Sequence, residues 1–283
     1  MKRRPPKRLI LGGMLAMVAF LVGLAPPAQA QGKKIYTFGV VPQFEARKLA
    51  AIWVPILQAL GKETGLTFEM VGSPQIPAFE KSFQLGEFDF AYMNPYHSVI
   101  AMKTQGYVPL VRDGSRKLTG ILVVRKDSPY QDVQDLQGQK VAFPAPNALG
   151  ASLLMRAELK KLHNLDVVPL YVQTHSSVYL NVLLGEAAAG GGVNATLKSQ
   201  DTKIQDNLRV IYTTRGMAPH PVVAHPRVTA AVAEAVKAAF LKLAGTEEGK
   251  ALLAKIPMRK AIPAISEDYL VLREWGLEDF YVE

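Results

Sequence analysis

Apolar residues alternate along the chain between the spacing of strands and the spacing of helices. Residues 34–41, KIYTFGVV, form a β-rich apolar run, and residues 45–65 place apolar side chains on one helical face before ending at a glycine. That face carries Leu49, Ile52, Trp53, Ile56, Leu57 and Leu60. The alternation continues to residue 113 and predicts an α/β domain with a largely parallel sheet.

Within this first alternation, residues 76–95 end in a turn that is crowded with large side chains. A helix over residues 76–88 is predicted to turn Phe79, Phe83 and Leu85 toward the core. The strand FDFAYM comes next and stops at Asn94 and Pro95, which predicts a buried strand followed at once by a new helix.

A second alternation of strands and helices occupies residues 118–214. The short apolar strand GILVVRK at 120–126 opens it, and the short apolar strand PVVAHP at 221–226 follows it. We interpret these two strands as crossings between two lobes. The sequence therefore predicts a two-lobed α/β protein, each lobe a mostly parallel sheet flanked by helices, with a two-strand hinge. The expected boundaries are 31–119 and 220–283 for a discontinuous first lobe, and 120–219 for the second lobe.

Residues 1–30 have the composition of a secretory signal peptide. Five basic residues precede the apolar run LGGMLAMVAFLVGLA, and Ala28-Gln29-Ala30 offers a cleavage site before Gln31. The run is short for a membrane span, so an uncleaved anchor is the less favoured alternative. Arg3-Arg4 suits a twin-arginine signal, but the prolines that follow do not, which favours general secretion.

The composition narrows the location and the ligand. The chain has no cysteine, hence no disulfide and no lipid attachment site, which favours a soluble periplasmic protein without a lipid anchor. It has 33 Lys and Arg against 24 Asp and Glu, and 5 of the basic residues lie in residues 1–30, where there is no acid; the mature chain therefore has 28 against 24, or +4. That excess is too small to indicate nucleic-acid binding, but it is compatible with a small anionic ligand.

Candidate ligand contacts lie where predicted strands turn into helices. Ligands of open α/β sheets bind beyond the carboxyl ends of strands, where helix N-termini offer unpaired N–H groups. The first such turn contains Gln43 and Phe44, with Arg47 one helical turn further on. Arg47 either reaches the ligand or simply faces solvent.

The second turn, AYMNPYHS at 91–98, contributes Tyr92, Asn94 and Tyr96. Pro95 suits the first position of a helix, which makes Asn94 its N-cap, a role that is compatible with ligand contact. Tyr92 follows the alternation of the buried strand and is alternatively a core residue.

The third turn, FPAPNALGASLL at 143–154, opens a helix with small residues. Small side chains would let an oxyanion approach the backbone N–H groups closely, although a tightly packed capped helix would look the same. The candidates here are Asn147, Leu149, Gly150, Ala151 and Ser152.

The fourth turn places His175 between a strand and a helix, among hydroxyl groups. A lone histidine is usually structural, but one among hydroxyls at a strand end favours a site. The glycine run at 190–192 would bring backbone close to a ligand or bend the chain between lobes. The candidates in this region are His175, Ser176, Ser177, Tyr179, Gly191 and Gly192.

No catalytic constellation accompanies these residues in the sequence. The five histidines show no metal-ligand spacing, and no P-loop, dinucleotide fingerprint or nucleophile elbow occurs. We therefore expect no enzyme activity, no metal and no cofactor. An enzyme that uses His175 with the adjacent serines remains a weak alternative, because a triad is missing.

An ordered set of segments resembles a known family. GEFDFAYMNPYH, TGILVVRKDSP, DLQGQKVAFPAP, ASLLMRAEL and THSSVYLNVLLGEAAAGGGV resemble the phosphate/phosphite/phosphonate-binding proteins of ABC transporters, the PhnD-like family, over roughly residues 35–275. The resemblance implies a type II periplasmic binding protein whose lobes close around a phosphorus oxyanion. It implies contacts from Tyr92 and Asn94 in the first lobe, and from residues 147–152 and 175–177 in the second.

Departures from the family pattern bear on the ligand. PNALGAS stands where transported phosphonate binders tend to have a serine- and threonine-rich loop, and Ser176 stands where they tend to have an acid. A second acid is missing in the region of AAAGGGV. The absence of carboxylates argues against an aminoalkyl phosphonate, whose ammonium group needs a counter-charge. A different small anion or a less polar molecule is the alternative.

The favoured hypothesis is a periplasmic solute-binding protein of an ABC importer that captures phosphate, phosphite or a phosphonate by hinge closure. Its expected partners are the small-molecule anion and an ABC permease with its ATPase; we expect a monomer and no nucleic acid. The alternative is a periplasmic sensing protein that presents a small anion to a membrane sensor kinase or cyclase.

Overall fold

The computed structural model describes Met1 and residues 34–282, and the predicted signal peptide lies outside the described residues apart from Met1. The strands are β1 (Ile35–Val40), β2 (Thr67–Val71), β3 (Phe90–Tyr92), β4 (Val108–Asp113), β5 (Gly120–Arg125), β6 (Lys140–Phe143), β7 (Val168–Tyr171), β8 (Ala189–Val193), β9 (Leu208–Thr213), β10 (Val222–Ala224) and β11 (Ala261–Pro263).

Helices connect most of these strands. The α-helices are α1 (Ala46–Thr64), α2 (Ile76–Gln84), α3 (Pro95–Gln105), α4 (Leu154–His163), α5 (His175–Leu183), α6 (Asn194–Lys198), α7 (Thr202–Gln205), α8 (Ala230–Leu243), α9 (Glu247–Leu253) and α10 (Glu267–Leu270). A π-helical turn at Leu149–Leu153 leads directly into α4. Short 3₁₀ turns lie at Val133–Leu136, Val271–Glu274 and Glu278–Phe280.

Two sheets divide the strands between two lobes. The first sheet has six strands in the order β11-β4-β10-β3-β1-β2, and the second has five in the order β7-β6-β8-β5-β9. We call each sheet with its flanking helices the first lobe and the second lobe. The predicted two-lobed α/β fold is therefore present, with all strands of the second sheet drawn from one continuous stretch of chain.

Both sheets are mixed, but most strands of each run in one direction, four of six in the first sheet and four of five in the second, as the sequence predicted. In the first sheet β1 pairs in parallel with β2 and β3, whereas β10 is antiparallel to β3 and β4, and β11 is antiparallel to β4. In the second sheet β6 is parallel to β7 and β8, but β5 is antiparallel to β8 and β9. The reversed strands β5 and β10 follow the crossings directly, without the helical crossover that parallel pairing needs. The reversed strand β11 comes after α8 and α9 and runs in the same direction as β10.

The crossings lie between the sheets, not within the strands that the sequence suggested. β5 and β10 are interior strands of their own sheets. The chain crosses instead between β4 and β5 and again between β9 and β10. There Leu118 and Met217 exchange two backbone hydrogen bonds, 2.8 Å from Leu118 N to Met217 O and 3.0 Å from Met217 N to Leu118 O. This antiparallel pair is the two-strand hinge.

The core of the first lobe follows the predicted helical face. In α1, Leu49, Trp53, Ile56, Leu57 and Leu60 are buried, and a left-handed Gly65 ends the helix. Trp53 packs on Phe38 of β1 with the ring centroids 5.3 Å apart. None of the described helices combines the length and apolar content that a membrane span requires.

The helix α2 ends earlier than the sequence suggested. Phe79 and Phe83 are buried as expected, but Leu85 is 62% exposed. Leu85 is the C-cap of a helix that stops at Gln84, so it leaves the apolar face that the two phenylalanines share. The expectation for Leu85 is therefore wrong.

The C-terminal segment packs between the lobes. Tyr269, Leu272 and Leu277 form one apolar cluster with side chains of α3 from the first lobe and of α4 from the second. Polar contacts extend the join: Arg156 of α4 donates to the Phe280 carbonyl at 2.7 Å. The tail thus fastens the two lobes on the side of α3 and α4.

The glycine-rich strand β8 is required by close packing. A Cβ atom on Gly191 would stand 1.9 Å from the Ala151 carbonyl oxygen and 2.7 Å from the Phe143 ring. Backbone of the π-helical turn therefore occupies the space that a side chain at Gly191 would need. Gly72, in contrast, has no heavy atom within 4 Å of such a Cβ and has no positive φ.

We expect Gly191→Ala to lower the free energy of unfolding by about 2 kcal/mol or more, because the turn must shift away from β8. Gly72→Ala is the matched control and should be neutral or slightly stabilising. Urea denaturation of both variants measures the difference. Equal stabilities for the two variants would show that the turn yields easily.

Candidate functional site

A cavity of about 400 Å³ lies beside the hinge and is lined from both lobes. The first lobe contributes the start of α1, the end of β3 and the segment after α9. The second lobe contributes the end of β8 and the short helix α6, and the crossing segments close one side. The lining includes Gln43, Phe44, Leu49, Trp53, Tyr92, Asp113, Arg116, Lys117, Val193, Asn194, Thr196, Lys198, His220, Lys255, Ile256 and Met258.

Aromatic and apolar side chains form the buried floor of this cavity. Trp53 lies 4.9 Å from the ring of Tyr92, which in turn stacks on His220 at 5.3 Å. The hydroxyl of Tyr92 donates to the Ile256 carbonyl at 3.1 Å, and burial raises the pKa of Tyr92 well above its usual range. Tyr92 therefore offers the cavity its ring, while its hydroxyl is already bonded within the first lobe.

Basic side chains line the exposed rim. Arg116, Lys117, Lys198 and Lys255 are all exposed and all belong to the cavity lining. Within the described part of the chain, the three lysines make no ion pair or hydrogen bond through their side chains. The rim therefore presents positive charge that is available to an anion.

The one acid in the lining is occupied. Asp113 is 2% exposed, and its carboxylate accepts hydrogen bonds from the backbone and hydroxyl of Ser115 and from the backbone N–H of Lys260. Arg116 approaches it at 3.7 Å. Asp113 fastens the turn after β4 to the segment that leads into β11, and its charge pairs with Arg116. The net positive charge of the rim therefore comes from Lys117, Lys198 and Lys255.

A second, much smaller cavity of about 20 Å³ adjoins the first. It lies between Asn94 and His175 and is closed by the turn from Ala148 to Ala151. Both cavities share Gln43, Val193 and His220 in their walls. The backbone N–H of Ser152 donates to the Ala148 carbonyl at 2.7 Å, which is the first helical hydrogen bond of the turn. The N–H groups of residues 149–151 lie before this bond, at the start of the helix.

Two buried histidines face this region without charge. Burial lowers the pKa of His175 to about 4. Burial, with smaller contributions from His97 and His175, lowers the pKa of His220 to about 3. Nδ1 of His175 lies 3.2 Å from the Thr196 hydroxyl, and Nε2 of His220 lies 3.5 Å from the Gln43 amide. At neutral pH both rings are neutral, and each can donate one hydrogen bond and accept another.

Direct hydrogen bonds join the lobes next to the small cavity. Asn94 caps α3 by accepting from the His97 N–H at 2.8 Å, and its amide donates across the cleft to the Asn147 carbonyl at 3.1 Å. The His175 N–H donates to the Gln43 carbonyl at 3.3 Å. At the rim, Lys48 donates to the Ser199 carbonyl at 3.0 Å. The two lobes are thus in direct contact, and the small cavity lies between them.

The family match decides what kind of protein has this arrangement. A family model for the periplasmic substrate-binding protein of phosphonate ABC transporters matches residues 38–269. The chain belongs to this family. The family consists of periplasmic substrate-binding proteins and not of enzymes, as the sequence predicted. Among the described residues, no group of three or more His, Asp or Glu side chains could hold a metal ion.

Individual relatives have low sequence identity to this chain but match most of its length. The phosphonates-binding periplasmic protein of Escherichia coli (strain K12) is 20% identical over 247 residues, 82% of this chain and 73% of that protein. The binding protein component of an ABC phosphonate transporter from Pseudomonas aeruginosa superposes with a TM-score of 0.78 at 16% identity, covering 86% of this chain and 85% of the other. PhnD1 from Prochlorococcus marinus (MIT 9301), in complex with methylphosphonate, gives the same score and identity over 87% and 98%. The structural likeness confirms the fold.

Half of the sequence candidates gather at the two cavities of this binding protein. They come from all four predicted strand-to-helix turns. Those that line a cavity are Gln43, Phe44, Tyr92, Asn94, Leu149, Gly150, Ala151 and His175. The expected N-cap role of Asn94 is confirmed, with Pro95 as the first residue of the helix.

The other candidates are engaged elsewhere. Asn147 donates to Glu80 of α2 at 3.2 Å and to the Val282 carbonyl at 2.7 Å, so its side chain binds the first lobe and the C-terminal tail. Tyr96 packs in the apolar cluster of that tail. Ser152 is fully buried and accepts from Arg156 at 3.2 Å.

The remaining candidates of the second lobe make hydrogen bonds and packing contacts within helix α5 and strand β8. Ser177 lies 2.9 Å from the hydroxyl of Thr174, which caps α5. Tyr179 lies behind Gly192, 2.7 Å from the Thr196 hydroxyl. Ser176 is the second residue of α5, next to His175, and Gly191 packs on the π-helical turn. Arg47 is exposed.

Several lining residues gave no recognisable signal in the sequence. Trp53 occupies the apolar face of α1, where it looks like core alone. The rim residues Arg116, Lys198 and Lys255 come from three separated segments, and each resembles an ordinary solvated charge. Only the position of the lysine- and arginine-bearing crossing segment next to the hinge could have suggested a site there.

The neutral histidines make stability depend on pH. In the unfolded chain a histidine binds a proton near pH 6.5, whereas His175 and His220 stay neutral in the folded state until about pH 4 and about pH 3. Keeping these two rings neutral therefore costs no stability above about pH 6.5. Below that value the unfolded chain binds protons that the folded chain does not, and the free energy of unfolding falls. Each should remove about 2 kcal/mol of unfolding free energy between about pH 7.5 and about pH 5.

We expect His220→Gln to reduce this fall by about 2 kcal/mol, because the amide cannot titrate and can still contact Gln43. Urea denaturation at several pH values, followed by tryptophan fluorescence, measures the fall in both proteins. An identical pH dependence in the unmodified protein and the variant would contradict the buried neutral state of His220.

Proposed function

We propose that the protein captures a small phosphorus oxyanion (phosphate, phosphite or a phosphonate) in the cleft between its lobes and delivers it to an ABC permease. The observation that carries the proposal is the family match over residues 38–269. The basic rim of the cavity supports an anionic ligand, because three of its lysines have no partner among the described residues.

The oxyanion is proposed to bind at the small cavity between Asn94 and His175. There the N–H groups of Leu149, Gly150 and Ala151 begin a helix, and backbone donors at a helix start suit a negative charge. The volume of about 20 Å³ holds one or two water molecules. Entry of the anion therefore requires the lobes to part about the hinge, which breaks the bonds from Asn94 to Asn147, from Asn147 to Glu80, from His175 to Gln43 and from Lys48 to Ser199.

Tyr179 and Thr196 are proposed to position His175 for this role. The Tyr179 hydroxyl lies 2.7 Å from the Thr196 hydroxyl, which lies 3.2 Å from Nδ1 of His175. The Thr196 hydroxyl also lies 2.9 Å from the Val193 carbonyl, which accepts from Tyr179 at 3.3 Å as well. With Tyr179 bonded to that carbonyl, Thr196 can donate to Nδ1, and the neutral ring then carries its proton on Nε2 and can donate it to an oxyanion. Tyr179, a sequence candidate, then acts through Thr196 and does not touch the ligand.

The remaining sequence expectations extend the proposal. Closure is proposed to move a first lobe of residues 31–119 and 220–283 against a second lobe of residues 120–219. Export by a signal peptide cleaved before Gln31, without a lipid anchor, would release a monomer to the periplasm. A permease with its ATPase is the proposed partner. The alternative of a sensing protein for a sensor kinase or cyclase draws no support from the family match.

We expect a phosphorus oxyanion to stabilise the purified protein by about 2.7 kcal/mol at a hundredfold excess over its Kd. The measurement is the shift in melting temperature with phosphate, phosphite and methylphosphonate, with sulfate, arsenate and acetate as comparisons. If none of the phosphorus anions raised the melting temperature, the proposed ligand class would be refuted, although the fold would stand.

The site assignment has its own test. His175→Ala should weaken the binding of whichever anion gives the largest shift by about tenfold or more, because a donor to a charged group is lost. Thr196→Val should weaken it less, since the imidazole remains but its proton is no longer fixed. Binding measured by calorimetry compares both with Gln58→Ala on the exposed face of α1. Unchanged affinity in both site variants would place the anion elsewhere.

A further inference from the structure

We propose that the large cavity accommodates the substituent of a phosphonate, and that this substituent is bulky and apolar and carries no ammonium group. An aryl or branched-alkyl phosphonate is the ligand class that these walls fit. This inference rests on the proposed function, since it places the phosphonate group at the small cavity between Asn94 and His175.

The two cavities are arranged for a ligand with two parts. They share Gln43, Val193 and His220, so a group held at the small cavity borders directly on the large one. The large cavity has a volume of about 400 Å³, against about 20 Å³ for the small one. A methyl substituent would leave most of the large cavity to water, whereas a ring or a branched chain would occupy it.

The floor of the large cavity favours an apolar substituent. Phe44, Trp53 and Met258 belong to the lining and are buried. The hydroxyl of Tyr92 is turned to the Ile256 carbonyl, which leaves its ring as the surface on offer. Aromatic rings side by side, with Trp53 and Tyr92 4.9 Å apart, suit a flat or branched hydrocarbon.

The charges of the large cavity exclude an ammonium group. Its only acid among the described residues, Asp113, is 2% exposed, accepts hydrogen bonds from Ser115 and from the backbone of Lys260, and pairs with Arg116 at 3.7 Å. Asn194, at the start of α6, offers an amide and no charge on the facing wall. Lys198 and Lys255 add positive charge at the rim, so an ammonium substituent would meet like charges, and the one carboxylate is already paired with Arg116.

A panel of four phosphonates tests the inference by calorimetry on the purified protein. Phenylphosphonate should bind at least about tenfold more tightly than methylphosphonate, the ratio that about two buried methylene groups supply. Propylphosphonate and 2-aminoethylphosphonate are a matched pair that differ in a terminal methyl or ammonium group. Propylphosphonate should bind at least about tenfold more tightly of the two.

One variant tests the charge argument directly. Asn194→Asp places a carboxylate on the cavity wall at the first residue of α6, where an acid suits a helix start. It should reduce the preference for propylphosphonate over 2-aminoethylphosphonate by about tenfold or more. Gln58→Glu adds the same charge on the exposed face of α1, outside the cavity lining, and should leave the preference as it is.

The outcomes separate this inference from the proposed function. Binding of methylphosphonate as tight as that of phenylphosphonate, or of 2-aminoethylphosphonate as tight as that of propylphosphonate, overturns the inference and leaves the proposed function standing. An unchanged preference in Asn194→Asp overturns the placement of the substituent. Failure of all four phosphonates to bind overturns the proposed function and the inference together.

Discussion

The antiparallel pair between Leu118 and Met217 is the constraint on which the rest of the structure depends. The chain passes twice between the lobes, and these two residues tie both crossings together through two backbone hydrogen bonds. Backbone pairing fixes the spacing of the crossings, and rotation about them is opposed by the tail cluster around Tyr269 and Leu277. The large cavity forms where it does because Leu118 of this pair and the nearby Pro219 make up one of its sides.

The contacts across the cleft are polar on the cavity side and apolar on the other side. Near the small cavity the lobes meet through a few hydrogen bonds, among them those from Asn94 to Asn147 and from His175 to Gln43. Such bonds can be exchanged for bonds to water when the lobes part, so each contributes only about 1 kcal/mol to closure. The cluster around Tyr269 and Leu277 is apolar, and it would resist separation more strongly.

Burial and charge divide the site into two chemically different parts. Around the small cavity the polar groups are neutral, since burial keeps His175 and His220 uncharged, and the available donors are amides, an imidazole and backbone N–H groups. The formal positive charge lies at the exposed rim of the large cavity instead. Charges at a rim attract an anion from solution, whereas neutral donors in a closed cavity hold it without the desolvation of a buried cation.

Local physical chemistry let the sequence determine much of the fold. The apolar face of α1 was predictable because helical periodicity alone brings Trp53, Ile56 and Leu60 together. Asn94 and Pro95 marked a helix start because capping depends on residues three positions apart. The order of strands in the sheets was less predictable, since the tail strands β10 and β11 enter the first sheet from far along the chain.

What only the tertiary structure decided is which side chains meet across the lobes. Asn147 looked like a ligand contact in the sequence, but the docking of the C-terminal tail gives its amide to Val282, 135 residues away. Gly191 looked like room for a ligand, and the packing of a π-helical turn fills that room with the Ala151 carbonyl. Lys198 and Lys255 converge on one rim although nothing local connects them. Periodicity and capping act over a few residues, whereas these contacts depend on how two separately formed lobes fit together.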